Sequence, residues 1–163
     1  MIPTLTTGRL TLRAFSFEDF ASFAAFYAGP ASRDVGGPLA PREAWRHFCA
    51  HLGHWPLRGY GWWIVDDGEG AAGFAGIHFP PSHPEAELGW ALFERARGRG
   101  YATEAASVAR DWWYGRGERR LTSNIDRANA ASIAVARRMG AVTDGAPLAH
   151  NPACSAWLHE APA

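Results

Sequence analysis

The sequence predicts a single α/β domain of the α+β kind, built on a central sheet, and three observations predict it. Apolar runs of strand length recur at 10–14, 62–65, 71–79, 85–92 and 121–125, separated by glycine- and proline-rich breaks. Four other segments carry apolar residues at helical spacing, so strands and helices interleave. A length of 163 residues, with 47% hydrophobic and 20% charged content, suits one globular domain spanning 1–163. Size scaling gives about 8,000 Å² of folded surface, with roughly 70% of the unfolded surface buried, so the core needs no metal or disulfide staple.

Taken in order, Leu10, Leu12 and Ala14 alternate with Thr11 and Arg13, the period of a half-buried strand. Ser16 followed by Asp19 resembles a capping pair, and a helix through Phe20, Phe23, Ala24 and Tyr27 should stop at Gly29-Pro30. Residues 29–40 read as a loop. Pro41 suits the first turn of a second helix, whose expected buried face is Trp45, Phe48, Cys49, Leu52 and Trp55. The segments 62–65, 66–70 and 71–79 read as strand, turn and strand, and 85–92 as a further strand. A helix follows the glycine-rich 97–100, buried through Ala102, Ala105, Ala106, Ala109, Trp112 and Trp113. Leu121–Ile125 reads as a strand and 129–139 as a helix closed by Gly140. Weak strands are expected near 141–142 and 155–158.

Composition excludes several chemistries. All 16 basic residues are arginine, which rules out Schiff-base catalysis and the lysine of a phosphate-binding P-loop. They balance 16 acidic residues, and this zero net charge argues against a nucleic-acid partner. Two cysteines imply no disulfide framework, and Cys49 is expected to be a small buried hydrophobe. No apolar run reaches membrane-spanning length and Met1–Arg9 lacks the order of a signal peptide, so a cytoplasmic protein with no membrane partner is expected. His47 and His51 have a spacing that can bind zinc, yet no Glu follows His47; a solvated helix face and no metal are expected. The eight tryptophans read as core, with Trp45, Trp62 and Trp63 as candidates for lining an acceptor pocket.

The chemically informative stretch is Arg95-Ala96-Arg97-Gly98-Arg99-Gly100-Tyr101-Ala102-Thr103-Glu104, between an expected strand and an expected helix. Its glycines let the backbone turn sharply, and the first amides of the helix have no internal partners. Such a site suits a phosphate or pyrophosphate, and the three arginines add positive charge. A dinucleotide fingerprint fits less well, because Thr103 occupies the third glycine position.

Glu87-Leu88-Gly89-Trp90-Ala91-Leu92 followed by Arg95-x-x-Gly98-x-Gly100-Tyr101-Ala102-Thr103-Glu104 resembles the acyl-CoA signature of the GNAT N-acetyltransferases. Asn129-x-x-Ser132 with Arg137-Arg138-Met139-Gly140-Ala141, and the opening Thr7-Gly8-Arg9-Leu10-Thr11-Leu12-Arg13, are similar to the RimJ/RimL-like branch. The resemblance implies the GNAT fold: a mixed central sheet of about six to seven strands with about four helices, splayed to admit acetyl-CoA. It places the pantetheine arm against the backbone of Trp90, Ala91 and Leu92, and of Phe93 beyond them. It places the pyrophosphate against the amides of Arg97, Gly98, Arg99, Gly100, Tyr101, Ala102 and Thr103, and gives Arg95 a cofactor-binding position.

In the same way the resemblance sets the Asn129 amide against the pantetheine arm and the Ser132 hydroxyl near the thioester sulfur as proton donor. The bland alternative is a helix N-cap and a solvated first-turn residue. A lysine-like amine has a pKa of about 10.4, so a base or a water chain helps it react at neutral pH. Glu87 is the preferred base, with Glu85 and His78 as alternatives. The expected activity is transfer of acetyl from acetyl-CoA to a primary amine, either a protein N-terminus or a small molecule, by direct attack. A non-catalytic acyl-CoA-binding regulatory domain is the rival reading. The segments 29–40 and 143–152 are expected to shape the acceptor side, and a monomer or homodimer is expected.

Overall fold

In the computed structural model, which describes residues 1–162, eight strands form one sheet in the order β1-β2-β3-β4-β5-β6-β8-β7. The strands are β1 (Leu5–Thr6), β2 (Thr11–Arg13), β3 (Trp62–Asp66), β4 (Ala71–His78), β5 (Glu87–Leu92), β6 (Thr122–Asp126), β7 (Pro147–Leu148) and β8 (Asn151–Leu158). Four α-helices connect them: α1 (Phe20–Ala28), α2 (Pro41–Arg58), α3 (Tyr101–Gly115) and α4 (Ala130–Arg138). The sheet is therefore mixed, as expected, but has one or two strands more than expected. Both additional strands, β1 and β7, are two residues long, too short to leave a periodic signal. Val142 forms only an isolated bridge to Leu158. The folded surface is 8488 Å², close to the size-scaling expectation.

Strand alternation sorts side chains to the two faces of the sheet. Trp62 and Ile64 of β3 and Phe74 of β4 pack with Phe23, Tyr27 and Phe48 on the α1/α2 face. Their neighbours Trp63, Val65, Ala75 and Ile77 pack with Ala105, Ala109 and Trp113 on the α3 face. Across the antiparallel β4–β5 ladder, Phe74 pairs with Ala91, Gly76 with Gly89 and His78 with Glu87. Directly opposed residues share a face. Glu87 therefore lies on the α1/α2 face, beside His78.

Helix α1 is preceded by a 3-10 turn at Phe17–Asp19, where the Asp19 carboxylate accepts the Ser16 N–H at 2.8 Å, the reciprocal half of the expected cap. The loop at 29–40 contains a 3-10 segment, Pro30–Val35. Helix α2 corrects its expected face. Ala44, Phe48, His51 and Trp55 are buried, whereas Trp45 is 42% exposed and Cys49 is exposed. The stripe keeps Phe48 and Trp55 but is turned by about 65°, less than the 100° of one residue. A hydrophobic tryptophan outside and a histidine inside misled the periodicity. Trp45 instead covers Phe20, with ring centroids 5.0 Å apart. In α3 the buried face is Tyr101, Ala105, Ala106, Ala109 and Trp113, with Ala102 and Trp112 half-buried. Among the described residues, no helix is long and apolar enough to cross a membrane.

Candidate active site

Strands β5 and β6 run parallel yet share a single register pair, Glu87 with Thr122. Beyond it the sheet splits. The parting is held by side chains: the Ser123 hydroxyl donates to the Leu88 carbonyl at 2.6 Å and lies 2.8 Å from His159 Nε2. A hydroxyl has one proton to give, so His159 must donate the second bond through Nε2–H. Burial keeps this imidazole neutral and lowers its pKa to about 4. The split opens into a cleft of about 1240 Å³, which extends from the first turns of α3 and α4 to α1 and α2.

One half of the cleft is built from main chain. Gly98 and Gly100 have φ of 75° and 80°, the left-handed region that other residues enter only with strain. Gly100 is the N-cap of α3, and the next amides belong to the unpartnered first turn. Arg97, Gly98, Arg99, Gly100, Ala102 and Thr103 line the cleft, as do Trp90, Ala91 and Leu92. Arg97 spends its Nε–H on the Leu92 carbonyl at 3.2 Å.

The loop is braced from outside the cleft. Arg9 donates from Nε to Glu104 Oε2 at 2.8 Å and from Nη1 to the Arg99 carbonyl at 3.0 Å. Thr7 donates its hydroxyl to the same Glu104 carboxylate. Burial alone would raise the Glu104 pKa, but these bonds outweigh it and lower the pKa from its ordinary value. Sequence reasoning matched Thr7, Arg9 and Glu104 to the family pattern but gave them no task. Their separation along the chain hid it.

Three expected cofactor residues stand apart. Arg95 does not line the cleft: its guanidinium donates to both oxygens of Asp67 at 2.9 Å and to the Gly70 and Ala71 carbonyls, so it fastens the β3–β4 turn. The Tyr101 side chain is buried in the α3-face core with Arg9 5.0 Å above its ring, leaving only its amide for the loop. Phe93 is likewise buried, packed on Phe74.

At the start of α4, Asn129 is the N-cap: its Oδ1 accepts the Ser132 N–H at 3.0 Å. Its Nδ2 donates to Asp34 Oδ2 at 2.8 Å, bridging the cleft to the 30–35 segment. One Nδ2 proton remains for other use. Ser132 lines the cleft, and among the described residues its hydroxyl has no hydrogen-bond partner.

The other half of the cleft is aromatic and imidazole-rich. Glu87 sits at the apex of the split, 9% exposed, with Oε1 accepting the Asn124 N–H at 3.1 Å. Its Oε2 is 2.7 Å from His83 Nδ1, an ion-pair contact without hydrogen-bond alignment, and 3.6 Å from His78 Nε2. Burial raises the Glu87 pKa above the ordinary carboxylate value, and the His83 charge partly opposes this. Burial, helped by the charge of His83, pushes His78 down to about 3, so it is neutral. Glu85 is instead ion-paired to Arg120 and does not line the cleft. Of the candidate bases, Glu87 and His78 are in place and Glu85 is not.

His47 and His51, expected on a solvated face, both line the cleft and are both held neutral by burial. Of the candidate tryptophans Trp62 lines the cleft, while Trp63 is fully buried on the α3 face. The flanking segments contribute Ala31, Asp34, Val35 and Gly36 from one side and His150 and Asn151 from the other. His78, His83 and Glu87 bring ligating atoms within 4.8 Å of one another. His78 Nδ1 has no partner to orient the ring, as a metal-binding histidine normally has, so the donor set suits a carboxylate base and its neighbours better than a metal.

Comparison with known proteins is consistent with this geometry. The acetyltransferase (GNAT) domain family model matches residues 9–142. An acetyltransferase from Agrobacterium tumefaciens strain C58 is 39% identical, with a TM-score of 0.91 over 98% of this chain and 95% of that one. RimL, a ribosomal L7/L12 alpha-N-protein acetyltransferase solved with coenzyme A, has 19% identity and a TM-score of 0.80 over 98% of both chains. A GNAT acetyltransferase from Bacillus anthracis has 18% identity and a TM-score of 0.78 over 96% of both. With a family match over most of its length and an acetyltransferase of such identity beside it, this chain is an enzyme of the GNAT acetyltransferase family, in its RimJ/RimL-like branch.

Proposed function

We propose that the protein transfers acetyl from acetyl-CoA to a primary amine, either a small molecule or a protein N-terminus, by direct attack. One observation carries the reading: a loop of free amides at the α3 N-terminus and a buried carboxylate at the apex of the split face the same cleft. The coenzyme A bound to RimL supports the choice of thioester. Gly98, Gly100 and the first amides of α3 would hold the pyrophosphate, and the β5 edge around Trp90, which has no strand partner and lies between the engaged Leu88 and Leu92 carbonyls, would hold the pantetheine arm. Acetyl-CoA supplies the activated acyl carbon and a thiolate leaving group.

Glu87 takes the proton from the incoming ammonium, directly or through one water. Its raised pKa makes it a stronger base than a solvated carboxylate. Main-chain N–H groups at the free β5 edge bond the carbonyl oxygen as its negative charge develops. Ser132, whose hydroxyl has no hydrogen-bond partner among the described residues, gives its proton to the departing sulfur and regains, through water, the proton that the nitrogen sheds as the intermediate collapses to the amide. No covalent bond to the protein forms.

A thermal-shift panel tests the cofactor, since a ligand selective for the native state raises the melting temperature. Acetyl-CoA and CoA should raise it and NAD and ATP should not. Following CoA release with Glu87→Gln and Ser132→Ala tests the roles. Turnover unchanged in both variants would remove these assignments.

A further inference from the structure

Two side chains stand where the next rung of the β5–β6 ladder would be. The Thr122 N–H reaches the Ala86 carbonyl at 3.2 Å. Two residues on, a parallel ladder would bring the Asn124 N–H to the Leu88 carbonyl. Neither group is left to the other. The Asn124 N–H goes to Glu87 Oε1 at 3.1 Å, and the Leu88 carbonyl takes the Ser123 hydroxyl at 2.6 Å. One main-chain bond is exchanged for two bonds to side chains, and the Glu87 carboxylate gains a main-chain anchor by the exchange.

The serine is held in its turn. Ser123 is 2% exposed and His159 1%, and His159 gives Nε2–H to Ser123 Oγ at 2.8 Å, which commits the single hydroxyl proton to Leu88. The His159 Nδ1 is buried without a partner, as suits the tautomer protonated on Nε2. The residue itself is tied down. Its N–H reaches the Leu121 carbonyl at 3.0 Å, and its own carbonyl accepts the Tyr114 hydroxyl. A buried carbonyl without a donor is rare in folded proteins. If the Ser123 hydroxyl is removed, the donor in register for Leu88 is the Asn124 N–H, and Glu87 loses it.

Resting on the transferase reading above, we infer that Ser123, held by His159, is a positioning residue for the Glu87 base. By occupying the Leu88 carbonyl it reserves the Asn124 N–H for Glu87 Oε1. The carboxylate is pinned through that oxygen, which leaves Oε2 toward His83 and His78, both of which line the cleft. The N–H bond also favours the ionised form of the base. The other titratable groups around Glu87 are His78 on β4, His83 in the β4–β5 connection, and His150 and Cys154 from the β7–β8 side, with the carboxylates of Asp34 and Asp126 lining the same cleft. None of these is altered by a substitution at position 123, so a displaced pH profile reports the Asn124 bond.

The test uses the full chain with acetyl-CoA and follows CoA release. The acceptor is the fastest of 2-phenylethylamine, n-butylamine, spermidine and a short peptide beginning with serine. Ser123→Ala should lower kcat by about tenfold, a part of what a general base contributes, and move the acidic limb of kcat/KM to higher pH. Ser123→Cys, close in volume but a weak donor, should move the limb the same way, and Ser123→Thr, which keeps the hydroxyl, should restore it. In the Glu87→Gln background Ser123→Ala should cost less than about twofold more, because a residue that acts through another adds little once that one is gone. Acetyl-CoA should still raise the melting temperature of each variant, which separates a misplaced base from a lost fold. Equal losses with and without Glu87, or a limb that stays in place, overturn the inference and leave the transferase reading standing. Loss of the acetyl-CoA thermal shift in the Ala and Cys variants also overturns it, by making Ser123 a support of the cofactor site. No turnover of any amine by the parent protein, with acetyl-CoA still binding, overturns the transferase reading and this inference with it.

Discussion

The two halves of the cleft are built by opposite means. On the α3 side the lining is backbone amides, two glycines at positive φ and a rim of arginines. On the α1/α2 side it is side chains, mostly rings, with the Glu87 carboxylate at the apex and Asp34 opposite. A main-chain lining needs particular residues at neighbouring positions and tolerates little change. A side-chain lining draws on residues that the sheet register gathers from distant segments. One half is therefore fixed by its chemistry, and the other is free to follow its acceptor.

Variants can break this division. The largest effect is expected for Glu87→Gln, which should lower kcat/KM by about 10²–10³ while leaving the acetyl-CoA thermal shift intact. Its sign on stability is informative. Because the folded pKa of Glu87 is raised, the native state holds its proton more tightly than the unfolded chain, and stability falls as pH rises between the two pKa values. Glutamine carries no charge to desolvate and keeps an oxygen for the Asn124 N–H. The Tm of the variant should be equal to or above that of the parent, which thermal unfolding will check.

Next comes Gly100→Ala, which forces a Cβ into φ of 80° and should weaken acetyl-CoA binding by about tenfold with little change in the amine KM. Calorimetric titration with acetyl-CoA measures it. Ser132→Ala should cost about three- to tenfold in kcat, since water can protonate the leaving thiolate. Arg9→Ala removes the brace behind the loop and should raise the acetyl-CoA KM about threefold at unchanged kcat, a small effect because the pair with Glu104 is half exposed. Smallest is a displacement of the acidic limb of the pH profile. Removing the His83 charge with His83→Asn should move that limb to higher pH, since His83 opposes the raising of Glu87 by burial. A limb moving to lower pH would break the assignment of Glu87 as base.

The same division explains what could be read from the sequence. Gly98, Gly100, Asn129 and Ser132 sit in short stretches whose spacing carries their geometry, and the structure brings them all to the cleft. The strand at 85–92 and the placing of Glu87 were legible for the same reason. Arg95 was misjudged because proximity in sequence to the loop is not proximity to the cleft; its partner Asp67 is reached through the fold. His51 was misjudged because a buried histidine breaks the apolar period of α2. The stack of His51, Trp62 and His78 joins one helix and two strands, and no local pattern announces it. The brace of Thr7, Arg9 and Glu104 was hidden likewise, spanning 95 positions between Arg9 and Glu104.

The split between β5 and β6 has a consequence for the protein between turnovers. A continuous open sheet has two outer edges, whereas this one carries a further pair inside, along β5 beyond Glu87 and along β6 beyond Thr122. Unpaired edges invite another extended chain to pair with them. Here only a slender arm can reach them, because α3 and α4 flank the opening. Acetyl-CoA, bound as proposed above, would then do more than deliver a reagent: its arm would cover strand edge that otherwise stands without a partner.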